Sequence, residues 1–172
     1  MVNEAVWIFG YGSLIWRPDF PYLDARRAYV DGWSRRFWQG SHDHRGTETD
    51  PGRVVTLIEV PTERCYGRAY LIEWDVFDHL DHREKNGYER QDVEIFFSDG
   101  SEGSEAGIAY IGEPGNFAWL GDASLKDIAA HIRHSAGPSG TNLDYLRELA
   151  NALRALDVAD PHVFELERLV AD

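Results

Sequence analysis

Of the thirty Asp and Glu side chains in this sequence, Glu84 has the position best suited to chemistry. It closes the run Trp74–Glu84, in which Val76, Phe77 and Leu80 recur at the spacing of one helix face. Asn86-Gly87 follows as a helix stop. A carboxylate at the C-terminal end of a helix meets the partial negative charge of unpaired carbonyls. Its proton affinity is expected to rise there, which suits a general base or acid. A solvated glutamate beside Lys85 is the plainer alternative, and spacing alone leaves that choice open.

Gly10-Tyr11-Gly12-Ser13-Leu14-Ile15 is the second feature with chemical potential. A dinucleotide loop wants Gly or Ala where Ile15 stands, and a phosphate loop wants a Gly-Lys-Ser/Thr ending. Neither pattern is met. What remains is a turn whose glycines let main-chain N–H groups approach a ligand closely. His42-x-His44 and His79-x-x-His82 resemble metal-ligand pairs but lack supporting ligands, so no metal is expected. Gly137-Pro138-Ser139-Gly140 misses the nucleophile elbow by one position. Cys65 lies in a β-rich run, where a buried, inert thiol is expected.

These residues need a framework. The chain has 172 residues, 43% hydrophobic, enough for one domain (residues 1–172) with a real core. The apolar Ala5–Phe9, Arg53–Val60, Arg64–Ile72, the alternating Asp92–Phe97 and Ala106–Ile111 predict strands. Arg53–Val60 and Arg64–Ile72, separated by Pro61-Thr62-Glu63, are expected to pair as a hairpin. Helical spacing marks Trp74–Glu84, Ser124–His134 and Asn142–Leu156, and Pro161 opens a last short helix. Strands broken by one short helix and closed by a helical tail predict an α+β fold with a mixed, barrel-like sheet.

Charge narrows the partners. Seventeen Lys and Arg against thirty Asp and Glu leave a net charge of −13, which argues against nucleic acid or an anionic membrane. One stretch is different: Arg26–Arg53 carries six Arg against four acidic residues, which either steer a small anionic substrate or pair with neighbouring carboxylates. With a single cysteine no internal disulfide can form, so a reducing, cytoplasmic location is expected. No apolar run reaches the roughly 20 residues of a membrane span, and Ala5–Phe9 lacks a basic leader, so no signal peptide is expected. Oligomeric state stays open.

Four ordered blocks carry a resemblance. Ile8-Phe9-Gly10-Tyr11-Gly12-Ser13-Leu14-Ile15-Trp16 resembles the opening motif of the ChaC family of γ-glutamylcyclotransferases. Arg35–Ser41, Asp43–Thr47 and Pro51–Leu57 together resemble its second signature. Arg83–Tyr88 resembles the segment bearing the family's catalytic glutamate, and Ser139-Gly140-x-Asn142-x-x-Tyr145-Leu146 a fourth block. Asn86 stands where glycine is common, and Trp119 where tyrosine is usual. The resemblance implies a small mixed-barrel α+β fold with flanking helices, and cleavage of glutathione to 5-oxoproline and Cys-Gly without metal or cofactor. It implies Glu84 as the catalytic base and acid, and Ile8, Phe9, Gly10, Tyr11, Gly12, Ser13 and Leu14 as the substrate-binding loop. Arg53 and Tyr145 are candidates for the glycyl end of the substrate. Two alternatives remain: ring closure on other γ-glutamyl amino acids or amines, and a non-catalytic regulatory protein linked to cation transport.

Overall fold

The computed structural model describes residues 4–100 and 103–172. Five strands close into a barrel in the order β1-β3-β2-β4-β5: β1 (Ala5–Gly10), β2 (Asp24–Ser41), β3 (Gly52–Glu73), β4 (Glu89–Phe97) and β5 (Ser104–Ile111). Neighbours are antiparallel except β1 and β5, which run parallel with Trp7 opposite Gly107. Alternation divides β1 between two cores. Phe9 packs with Val55 and Val93, whereas Ile8 joins Tyr70, Phe77 and Leu80 under the helix that carries Glu84.

The expected hairpin of Arg53–Val60 with Arg64–Ile72 does not form. Both runs belong to the single strand β3, and both pair with β2, a strand with no clear alternation in the sequence. The register slips between Asp31 opposite Arg64 and Trp33 opposite Glu59. Pro61 falls in the stretch this slip leaves unpaired, where its missing N–H costs no ladder bond.

A 3₁₀ turn at Trp74–Val76 leads into α1 (Phe77–Arg83). The remaining helices are α2 (Leu125–His134), α3 (Asn142–Ala155) and α4 (Pro161–Ala171), capped by the side chains of Ser124, Thr141 and Asp160 respectively. Between α2 and α3 lies a small hairpin of β6 (Ala136–Gly137) and β7 (Gly140–Thr141). Ile128, Leu146, Leu149 and Leu166 bury one face of these helices in the same core as Phe37 and Leu57 of the long strands. No helix among the described residues is long and apolar enough to cross a membrane.

Candidate active site

Glu84 closes α1, and its N–H donates to Leu80 O at 2.8 Å. The chain then turns through Gly87 at φ +89°. That turn is pinned to β2: Gln39 Nε2 donates to Asn86 O at 2.9 Å, and Asn86 Nδ2 donates to Gly40 O at 2.7 Å. A Cβ at position 87 would collide with the Asn116 and Gln39 amides. The barrel wall, more than the short helix, therefore aims the glutamate.

Two adjoining cavities meet at this carboxylate. The inner one, about 50 Å³, is lined by the glycine turn and by Tyr11, Tyr88, Tyr110 and Tyr145. The outer one, about 180 Å³, is lined by Arg17, Arg45, Arg83, Asp19, Asp43 and Trp16, among others. Ser13, Glu84, Tyr88 and Tyr145 border both. A wider hollow of about 990 Å³ lies elsewhere, around Cys65, His162 and Phe164, and holds none of these groups. Convergent polar side chains, not size, select the site.

Burial pushes the Glu84 carboxyl up to about 7; Arg83 opposes the rise, and Asp19 and Asp43 add to it. The sequence expectation rested on the helix end, whereas burial is the first cause here. The phenols of Tyr11, Tyr88 and Tyr145 are also raised, first by burial and further by the Glu84 charge, so they stay protonated. Tyr11 OH donates to Tyr110 O at 2.5 Å and Tyr88 OH to Val55 O at 2.7 Å. Tyr145 is different. Its oxygen accepts from the Val55 N–H at 3.3 Å, which leaves its own proton to donate into the cavities it lines.

The glycine turn runs into a 3₁₀ turn, Ser13–Ile15. Ile15 N–H donates to Gly12 O and Trp16 N–H to Ser13 O, so the N–H groups of Ser13 and Leu14 have no partner within that turn. Gly12 brings its backbone close to Tyr145: a Cβ there would stand 3.1 Å from the phenol oxygen. Two arginines fix the segment. Buried Arg35 donates through Nε to Tyr11 O at 2.7 Å, and also to Tyr66 O and the Asp160 carboxylate. Arg83 donates to Ser13 Oγ at 3.1 Å, Arg17 O at 2.9 Å and the Asp19 carboxylate, while its Nε lies 3.6 Å from Glu84 Oε1.

A family profile described as "ChaC-like protein" matches residues 6–172. The chain belongs to the ChaC-like family. It is 40% identical over 173 residues to the glutathione-specific γ-glutamylcyclotransferase 1 of Danio rerio, covering 96% of this chain and 88% of that one. It is 44% identical over 177 residues to the γ-glutamylcyclotransferase 2-3 of Arabidopsis thaliana, with the same coverages. The crystal structure of the yeast γ-glutamyl cyclotransferase specific to glutathione superposes with a TM-score of 0.89, at 29% identity over 98% of this chain and 96% of that one. The α+β mixed barrel with flanking helices is thus the fold this ChaC-like chain shares with a solved cyclotransferase.

Not every residue expected at the site reaches it. Phe9, Tyr11, Gly12, Ser13, Leu14, Glu84 and Tyr145 line the cavities of this ChaC-like chain; Ile8, Gly10 and Arg53 line neither. Ile8 points to the opposite face of β1. The bare Cα of Gly10 lets Leu14 fold back over it, with the Leu14 Cβ 2.8 Å from where a Gly10 Cβ would stand. The guanidinium of Arg53 donates to Phe37 O and Gly121 O at 3.0 and 2.8 Å, and burial lowers its proton affinity. Arg45 lines the outer cavity instead, donating to Thr141 O and the Glu148 carboxylate. Sequence reasoning gave no role to Tyr88, Trp16, Asp43 or Arg45. For Tyr88 a signal existed: it is the first aromatic after the stop that turns Glu84. Among the described residues, no group of three or more His, Cys, Asp or Glu side chains could hold a metal ion.

Proposed function

We propose that this ChaC-like protein is a glutathione-specific γ-glutamylcyclotransferase, a lyase that converts glutathione to 5-oxoproline and Cys-Gly. The relatives' names and the site geometry both support this reading. The observation that carries it is a carboxylate with a proton affinity near 7 at the junction of two cavities. The γ-glutamyl half takes the inner cavity and Cys-Gly the outer one. Held folded there, the substrate's α-amine attacks its own γ-carbonyl carbon, so closure is intramolecular and benefits from proximity. Glu84 takes the proton that the amine must lose. As the amide C–N bond breaks, Glu84 returns a proton to the leaving cysteinyl nitrogen, and the balance closes within substrate and enzyme. Acid–base catalysis of this kind contributes about 10²–10⁴ in rate.

The N–H groups of Ser13 and Leu14 and the Tyr145 hydroxyl are the donors for substrate oxygens, including the γ-carbonyl oxygen as charge develops on it. Arg17 and Arg45 supply positive charge in the outer cavity for the glycyl carboxylate, a place that Arg53, which lines neither cavity, does not reach. A cytoplasmic location fits, because a reducing glutathione pool keeps the substrate and the buried thiol of Cys65 reduced.

Incubation of the pure protein with reduced glutathione should yield 5-oxoproline and Cys-Gly by mass spectrometry. Faster turnover of γ-glutamylalanine than of glutathione would reject the glutathione-specific reading, and no turnover of either would reject the enzyme.

A further inference from the structure

Two buried polar atoms of residues lining the outer cavity have no hydrogen-bond partner among the described residues. The indole Nε1–H of Trp16 and the Oδ1 of Asp43 are shut from solvent, with no hydrogen bond to any described residue. His44 Nε2 stands 3.9 Å from Asp43 Oδ1, beyond hydrogen-bond reach. A buried donor or acceptor left unpaired is a cost that native structures rarely carry without a reason. These two are complementary in kind, since the indole only donates and an ionised carboxylate only accepts. They also come from separate segments. Trp16 closes the 3₁₀ turn after β1, its ring edge-on to Tyr145 at 5.4 Å, and Asp43 belongs to the connection between β2 and β3. The Asp43 side chain is 40% exposed overall and lines the outer cavity.

A trans peptide unit carries the matching pair, with C=O and N–H on opposite edges. Cys-Gly, the leaving half of glutathione, contains one such bond. We propose that Trp16 and Asp43 read that peptide bond: the indole N–H donates to its carbonyl oxygen, and the carboxylate accepts from its N–H. The two residues then favour a dipeptide leaving group: an amine leaves both protein groups unpaired, and a single amino acid offers a carboxylate oxygen to the indole but no N–H to Asp43, whose oxygen it meets with like charge. This inference rests on the cyclotransferase reading and deepens its substrate specificity.

The ratio of kcat/KM for glutathione to that for γ-glutamylcysteine, which lacks the second peptide bond, measures the contact. Trp16→Phe keeps a ring against Tyr145 and loses the donor; Asp43→Ala loses the acceptor. Asp43→Ala should lower the ratio about tenfold, the usual effect of one hydrogen bond, whereas Trp16→Phe should lower kcat/KM for both substrates by a similar factor. Asp43→Asn keeps an acceptor oxygen and should retain the ratio. A glutathione analogue with an ester oxygen in place of the Cys–Gly N–H should lose a similar factor with the parent enzyme and none beyond it with Asp43→Ala. An unchanged ratio in Asp43→Ala, or an unchanged kcat/KM for glutathione in Trp16→Phe, would overturn the proposal. Should the parent protein make no 5-oxoproline, the cyclotransferase reading is what fails. Calorimetric binding of glutathione against γ-glutamylcysteine then measures the same contact, with the same fall in ratio expected in Asp43→Ala and an unchanged ratio contradicting it.

Discussion

Arg83 Nε stands 3.6 Å from Glu84 Oε1, yet the carboxyl group it faces keeps its proton up to about pH 7. An adjacent guanidinium ordinarily draws a carboxylate downward. Here burial outweighs it, and Arg83 is already engaged by Arg17 O, Asp19 and Ser13 Oγ. A glutamate half-ionised at neutrality can both remove and return a proton in one catalytic cycle.

On the proposed mechanism, the charges around Glu84 set where activity begins on the pH axis. Burial and the charges of Asp19 and Asp43 hold the proton on, while Arg83 pulls it off. Asp43→Asn removes one negative charge, so Glu84 should ionise more readily and the acid limb of kcat/KM should move to lower pH. A pH–rate profile checks this, and a limb displaced upward would reverse the assigned electrostatics.

Stability should also depend on Glu84. Its folded-state pKa is raised from 4.5 to about 7, so between these values the folded chain binds more protons than the unfolded chain. Stability is then fully present below pH 4.5 and falls as pH rises to about 7. The total loss is on the order of 3 kcal/mol for a side chain this enclosed. Glu84→Gln has no such proton to lose and should be the more stable protein at pH 8 by up to that amount. Urea unfolding of both proteins at pH 5 and pH 8 measures it. Equal pH dependence in the two would remove Glu84 from the linkage.

Gly87 is the backbone hinge that aims Glu84, the proposed base. With φ at +89° and the Asn116 and Gln39 amides against its Cα, Gly87→Ala should destabilise by about 1–3 kcal/mol. Displacing Glu84 by even an ångström should cost about 10²-fold in kcat/KM. Thermal melts and steady-state kinetics test both halves. A variant of normal stability and activity would show that the turn does not constrain the carboxylate.

Much of this was legible in the residues. Periodicity placed α2, α3 and the first strand within a residue or two, because each has a clean apolar stripe or a capping residue. The long strands were harder. β2 lacks strict alternation, since its bulges shift which face each side chain takes, and Pro61 interrupts β3 without ending it. Glu84 could be singled out by its place after a helix, but the cause of its proton affinity is three-dimensional burial. Arg53 shows the opposite failure. Its type suggested a substrate carboxylate, and only the fold reveals that carbonyls of Phe37 and Gly121 already occupy it.

Whether Glu84 moves the proton during ring closure is read from kcat/KM for 5-oxoproline formation from glutathione, followed against pH in the parent protein and in Glu84→Gln. The parent should rise with pH through a midpoint near 7, and the glutamine variant should fall by about 10²–10⁴ and lose that midpoint. A folded Glu84→Gln variant with parental kcat/KM and an unaltered acid limb would contradict the account.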